Sequence, residues 1–443
     1  MKDTWLRHMT SSIQSNKLRG QLVRGAMGVG GCKLLALPLS VATSILLARG
    51  LGPEGYGQYA LVIALITTLS IPLAPALMQL TTRETARIHA DRKDQIQSLL
   101  LWANRHTLLG SVFAIIIVGA IALLMADWRA DDPWTLLLPG LFALPLLGLN
   151  AVRSGILAGL RHLVLSQLPE LFVRPLTLLI IAAMLLVTDL LNPLTALTAF
   201  IAGAALAYMS GTLLLQRKLP DRRGAVSLKD IPQNREWMRS WMPFTLLVTA
   251  STLNGQVGII LLGWLSNDVQ VAAMQVAERG AMMVNLSLAL VNIVISPYIA
   301  REFSQQNNEV LQKVSRYSAR IALLAALPIA LLLFTFAESI ISFFFGKVYV
   351  EMATGPLRFL VFAQIINVAF GSLGMFLSMT NFEKDTLTGN TIALLTNGIL
   401  CLFFIPSYGA LGASFSTAIG LIVWNLFLAI RVSRRLGIRP GVI

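Results

Sequence analysis

The chain has 443 residues, 56% hydrophobic and 13% charged, with a formal net charge of +14 and a mean hydropathy of +0.71. A soluble domain carries about 25% charged residues, so this composition excludes a soluble globular protein and indicates many membrane spans with little mass outside them. Two cysteines, Cys32 and Cys401, and four scattered histidines, His8, His89, His106 and His162, argue against a disulfide framework or a Cys/His metal site.

Residues 1–24 are polar and basic, without a short apolar core ahead of a small-residue cleavage site, so no cleavable signal peptide is expected. Apolar runs of spanning length predict twelve membrane helices, at roughly 25–48, 56–80, 100–125, 134–158, 164–188, 193–216, 242–265, 270–299, 315–337, 354–379, 386–406 and 410–431. Span 1 opens with Gly25-Ala26-Met27-Gly28-Val29-Gly30-Gly31-Cys32-Lys33. A phosphate-binding loop needs Ser or Thr after the lysine and a strand before the glycines. Leu34-Leu35 follow here, so the glycines read as close helix packing or as a bend used during transport. Lys33 itself lies about two turns inside the span.

Span 2 is followed by Arg83 and Arg87, and span 4 closes with Arg153. Span 5 carries Glu170 and Arg174, whose i, i+4 spacing puts both on one helix face. A basic linker over 217–240 divides a first six-span unit, 1–216, from a second, 241–443. Span 8 carries Glu278-Arg279 and is followed by Arg301, while Arg358 opens span 10.

The cations gather in alternate loops: the N-terminus, the loop with Arg83, Arg87, Arg92 and Lys93, the 217–240 linker, the loop after Arg301, and the tail from Arg431 to Arg439. The intervening loops are nearly free of them. That alternation is the signature of cytoplasmic loops and predicts both termini on the cytoplasmic side. Basic charge therefore reports topology, and no nucleic-acid partner is expected.

Weak identities recur about 214 residues apart. Leu51-Gly52-Pro53-Glu54 meets Leu265-Ser266-Asn267-Asp268, Arg87 meets Arg301, and Ala196-Leu197-Thr198-Ala199 meets Ala410-Leu411-Gly412-Ala413. With six spans per unit the repeat is parallel, and a pseudo-twofold axis along the membrane normal would leave a cavity between two lobes. The expected fold is therefore an all-α polytopic membrane protein of twelve helices in two six-helix lobes.

Ionisable groups inside spans are costly and become functional candidates. In one reading Lys33, Arg174, Arg279 and Arg153 face the cavity and hold an anionic headgroup, because guanidinium groups can donate two parallel hydrogen bonds to a phosphate. In the other, Glu170–Arg174 and Glu278–Arg279 are internally neutralised pairs and Lys33 snorkels to the interface. Glu170 and Glu278 are candidates for coupling to an ion. Arg83, Arg87 and Arg301 read as orientation charges that could also guide an anionic lipid at the entrance. No constellation of catalytic type lies in an extramembrane segment large enough to shape an active site, so neither an enzyme nor a cofactor is expected.

The stretch Ser44-Ile45-Leu46-Leu47-Ala48-Arg49-Gly50-Leu51-Gly52-Pro53-Glu54-Gly55-Tyr56-Gly57-Gln58-Tyr59 resembles the "R-x-LGP-x-x-[YF]G-x-[YF]" segment of the polysaccharide transporter family. Gly155-Ile156-Leu157-Ala158-Gly159-Leu160-Arg161, followed by Glu170 and Arg174-Pro175, resembles that family's helix 4–5 region. The resemblance covers most of the chain and places it beside O-antigen flippases of the Wzx type, in the multidrug/oligosaccharidyl-lipid/polysaccharide exporter superfamily. It implies translocation of undecaprenyl-pyrophosphate-linked oligosaccharide across a bacterial inner membrane by alternating access, without a cofactor. A polysaccharide polymerase and a chain-length regulator are the implied partners, alongside membrane lipid. The alternative is a cation-coupled multidrug antiporter of the MATE type. Many of those carry an aspartate in helix 1, where this chain carries Lys33. Lipid II flippases, also similar, typically add two C-terminal helices for which this sequence leaves no room after span 12.

Overall fold

The computed structural model describes residues 2–88, 93–125, 133–219 and 234–442. His89, Arg92, the acids Asp127, Asp131 and Asp132, and the linker cations Arg222, Arg223 and Lys229 lie outside them. The described residues form α-helices with one short π-turn and one 3-10 turn, and no strand. In order these are α1 (Lys2–Leu69), α2 (Pro75–Arg87), α3 (Lys93–Met125), α4 (Pro133–Gly140), α5 (Ala143–Gly159), α6 (Leu163–Leu168), the π-turn Pro169–Val173 and α7 (Arg174–Val187). There follow α8 (Pro193–Gln216), α9 (Asn234–Leu265), α10 (Asp268–Ser304), α11 (Asn308–Thr335), α12 (Ala337–Phe344), the 3-10 turn Lys347–Tyr349, α13 (Val350–Phe370), α14 (Leu373–Met379) and α15 (Glu383–Leu436).

Ten helices among these residues are long and apolar enough to cross a membrane. Two of them are too long to be single crossings. The apolar stretch Gly28–Leu69 has 42 residues, about 63 Å at 1.5 Å per residue, against a hydrocarbon core of about 30 Å. Each of the two is broken by a glycine in a conformation that L side chains rarely adopt: Gly52 at φ 69° in α1 and Gly409 at φ 53° in α15. Pro53 then starts the second limb of α1, where its missing N–H is not needed. Gln270 of α10 accepts a hydrogen bond from the Ala410 N–H at 2.9 Å and caps the second limb of α15. Division at the two glycines gives twelve spans. The loops expected between spans 1 and 2 and between spans 11 and 12 are thus reduced to one residue each.

The expected span 354–379 is two elements, because Gly371 at φ 76° ends α13 before α14 begins. Short turns at Arg161, Asp189 and Asn381 also have positive φ, of 66°, 53° and 64°. They reveal how the repeat drifts. The α9–α10 turn keeps the 214-residue offset from Gly52, but the later turns stand 220 apart (161 to 381, 189 to 409). The alignment of Ala196–Ala199 with Ala410–Ala413 therefore does not hold, since Ala410 opens its helix while Ala196 is the fourth residue of α8. Part of the extra chain is α12 and the 3-10 turn, inserted between α11 and α13.

Helices before residue 217 pack chiefly on one another, with α5 against α2, α3 and α8. Those after 234 do the same, with α13 against α10, α11 and α15. The two groups meet along α1 and α2 on one side and α9 and α10 on the other. Outward-facing apolar side chains such as Leu124, Val187 and Phe403 are fully or largely exposed, as lipid-facing positions are. The end carrying Arg83, Arg87, Arg217, Arg301 and Arg431 is called here the basic end, and the end carrying Gly52 and Gly409 the far end.

Candidate anion site on the seam between the helix groups

The seam begins with two tyrosines of the second limb of α1. Residues 56 and 59 are three apart and so share one helix face, and both are buried. The Arg279 guanidinium, from α10 in the other group, donates to the Tyr56 hydroxyl, which is also hydrogen-bonded to Ser44. Tyr59 lies in the electrostatic field of both Arg279 and Arg174. Two of the candidate cations are thereby brought to one aromatic pair from opposite helix groups.

Their electrostatic situations differ. The Arg174 Nη2 is 2.7 Å from Glu170 Oε1, and its guanidinium lies 5.2 Å from the Phe200 ring. Glu170 Oε2 accepts a further bond from Asn150 Nδ2 at 3.1 Å. The pair straddles the π-turn, where the Arg174 N–H reaches back to the Pro169 carbonyl. Arg279 has no carboxylate at ion-pair distance among the described residues, and its Nε is buried without a hydrogen-bond partner. Glu278 is half-buried beside it yet forms no ion pair with it. Glu278 acts on Arg279 through its field without contact, and the Nε, a buried donor without a partner, is costly as it stands.

The remaining candidates lie elsewhere. Arg153 is buried and ties three helices together: Nε donates to Thr212 Oγ1 at 2.9 Å, Nη1 to Asn104 Oδ1 at 2.8 Å and the Leu149 carbonyl at 2.7 Å, and Nη2 to Tyr208 at 3.3 Å. Lys33 is exposed on α1, near the place where Gly30 faces Ile293 of α10. Arg83 and Arg87 lie 2.6 and 3.5 Å from the carboxylate of Glu84, and Arg301 lies 3.7 Å from Glu302. Arg358 pairs with Glu338 of α12 at 3.4 Å. In the second group Asn367 donates to Asn285 at 3.3 Å and Asn425 to Asn367 at 3.1 Å, while the buried Asp385 accepts from Arg435 at 3.1 Å and lies 3.6 Å from Arg431 near the basic end.

Sequence reasoning missed the seam's two closures. At the far end Arg49 Nε donates to the Phe344 carbonyl at 2.8 Å and Nη2 to that of Phe343, the exposed C-terminus of α12, where a cation is favoured. Tyr349 donates to the Ala48 carbonyl at 2.8 Å, and Gln58 bonds Asp268. A side-chain carbon at Gly57 would collide with the Asp268 carbonyl. At the basic end Trp241 Nε1 donates to the Pro72 carbonyl at 2.8 Å, Trp102 meets Trp237 at 5.5 Å, and Arg83 lies 4.9 Å from the Phe244 ring. Tyr56, Tyr59 and Arg49 did stand in the family-like segment, whose tyrosine spacing marks one face.

Residues 22–303 match the family described as "Polysaccharide biosynthesis protein", which is more than half of the chain. The chain belongs to that polysaccharide biosynthesis family. Residues 243–403 of this family member also match the MatE family. No curated protein matches it. Among solved structures, an inward-facing multidrug resistance MATE transporter of the MOP superfamily is 17% identical, with TM-score 0.74, over 91% of this chain and 98% of that one. The lipid II flippase MurJ in an inward closed conformation is 16% identical, with TM-score 0.74, over 91% and 86%. A MOP superfamily transporter from Pyrococcus furiosus is 16% identical, with TM-score 0.66, over 94% and 95%. The polysaccharide biosynthesis family member thus shares the fold of these MOP superfamily transporters and of MurJ, with ten helices among its described residues long and apolar enough to cross a membrane.

Proposed function

We propose that this family member is a flippase for undecaprenyl-pyrophosphate-linked oligosaccharide, such as an O-antigen or other surface-polysaccharide repeat unit, in a bacterial inner membrane. The basic end and both termini face the cytoplasm in this reading, following the positive-inside rule. Residues 1–216 and 241–443 act as two lobes joined by the 217–240 linker, and they rock about the seam.

The observation that carries the reading is Arg279, a half-buried guanidinium with an unused donor and no carboxylate partner, facing Tyr56 across the seam. Arg174 lies on the other side of the same tyrosine pair. An entering pyrophosphate would take hydrogen bonds from Arg279 and compete with Glu170 for Arg174. Lys33, exposed along α1 toward the basic end, would meet it on the way in, with Arg83, Arg87 and Arg301 drawing it to the entrance. Arg153 would brace the lobe that carries Arg174. The polyprenyl tail stays in lipid, so the seam handles only the headgroup and glycan. Glu278 and Glu170 are the groups that could exchange a proton as the anion enters and leaves. A polysaccharide polymerase and a chain-length regulator would use the product on the far side.

The MatE match and the unpaired Glu278 favour one other reading, a cation-coupled multidrug antiporter. Reconstitution in proteoliposomes separates the two. The flippase reading expects a fluorescent undecaprenyl-pyrophosphate oligosaccharide to reach the opposite leaflet in a protein-dependent manner, with no cation-driven uptake of a cationic dye. Dye antiport without movement of the lipid-linked glycan would overturn it.

A further inference from the structure

A second site lies on the first helix group, along the face of α8 where Leu206, Met209 and Leu213 are exposed. A groove of about 310 Å³ runs between the π-turn and α8, walled by Pro169, Phe172, Val173, Ser210 and Leu213, with Arg217 at its basic-end mouth. It falls within two apolar spans, Leu163–Val187 and Pro193–Gln216, so its walls are at membrane depth. Its size is at the low end of ligand sites and suits one hydrocarbon chain rather than a whole lipid. Its surface is almost wholly apolar apart from the mouth. Arg217 is exposed there and has no ion pair among the described residues, and Lys218 follows it. Arg161 stands in the turn leading into α6, at the same end.

We infer that this groove binds one acyl chain of an anionic phospholipid of the basic-end leaflet, with the lipid phosphate on Arg217. The chemistry is complementary at both ends: a hydrocarbon chain against apolar walls, and a phosphodiester against a guanidinium that can donate two parallel bonds. The site is separate from the seam and stands whichever cargo the seam carries. It is nevertheless wired to it through one residue. Pro169 lines the groove, its carbonyl accepts the Arg174 N–H across the π-turn, and Arg174 holds Glu170 on the other side of the helix. π-turns of this kind are frequent at functional sites. A chain in the groove would hold the wide turn in the register that aims Glu170 at Arg174.

The test is retention of phosphatidylglycerol against phosphatidylcholine by the full chain in detergent, read by native mass spectrometry. Wild-type protein is expected to keep one phosphatidylglycerol in preference. Arg217→Gln should lower that preference roughly fivefold, the effect of one arginine on an anionic headgroup, and Arg217→Lys should restore most of it. Ser210→Trp, which fills the groove, should remove the retained lipid of either kind. Equal retention of the two lipids by wild type would overturn the assignment, and so would undiminished retention by Ser210→Trp. Displacement of phosphatidylglycerol by an equal concentration of undecaprenyl phosphate would also overturn it, giving the groove to a polyprenyl chain.

Discussion

The two ends of the seam are closed by different chemistry. At the far end the closure is directed at main chain: Arg49 on the carbonyls of α12, Tyr349 on the Ala48 carbonyl, and Gly57 flush against the backbone of Asp268. At the basic end it is made of aromatic edges, with Trp102 against Trp237 and His106 against Trp241 between α3 and α9, and a single indole bond to Pro72. Bonds to fixed carbonyls with backbones in contact hold one geometry and fail abruptly when the helices part. Aromatic surfaces can slide while keeping much of their buried area. The far end is thus built to be shut or open, and the basic end to yield by degrees. The Arg279–Tyr56 contact sits between them, where an anion competing for the guanidinium would loosen the same seam.

That contrast can be broken by mutation, most severely at Gly57. Gly57→Leu puts a side chain where the Asp268 backbone now lies and should keep the far end from closing. Overpacking of this kind costs about 1–3 kcal/mol or more. Cysteines placed near Gly52 should become reactive to a membrane-impermeant thiol reagent, and an unchanged reactivity would count against the far-end closure. Arg49→Ala removes two charge-assisted bonds, each worth about 1.5–3 kcal/mol, and should raise the same reactivity by tenfold or more without unfolding the protein. Its smaller counterpart is Trp241→Phe, which deletes one indole bond worth about 1 kcal/mol and keeps the ring. Reactivity should then rise modestly at the basic end and not at the far end. Equal responses at both ends to all three variants would erase the distinction.

Much of this architecture is legible from residue patterns, and the exceptions have physical causes. Spans are legible because every backbone group in lipid must be bonded within a helix, which enforces long apolar runs. Element α12 is not, since eight residues cannot register as a span, and residues 338–353 read as loop. The same insertion widens the repeat offset from 214 to 220, so the place where the internal echo fails is the place where Arg49 finds its partner. The i, i+4 spacing of Glu170 and Arg174 correctly signals a shared face, and the intervening π-turn does not prevent their 2.7 Å contact. Adjacency alone does not decide pairing: Arg83 and Glu84 meet at 2.6 Å, whereas Glu278 and Arg279, equally adjacent on a helix, form no ion pair because the Arg279 guanidinium is turned to Tyr56. The Arg153 hub draws on Asn104, Thr212 and Tyr208 from other helices, and bonds from Arg49 and Tyr349 end on carbonyls, which carry no residue identity to read.

The central claim is that the unpaired Arg279 guanidinium receives the anionic headgroup at the seam. The most direct measurement is the initial rate at which proteoliposomes containing Arg279→Gln flip a labelled undecaprenyl-pyrophosphate oligosaccharide, compared with wild type at equal protein incorporation and equal thermal stability. Loss of a charge-assisted pair to a phosphate predicts a fall of about tenfold or more, with Arg279→Lys intermediate. A rate for Arg279→Gln equal to that of wild type would contradict the account.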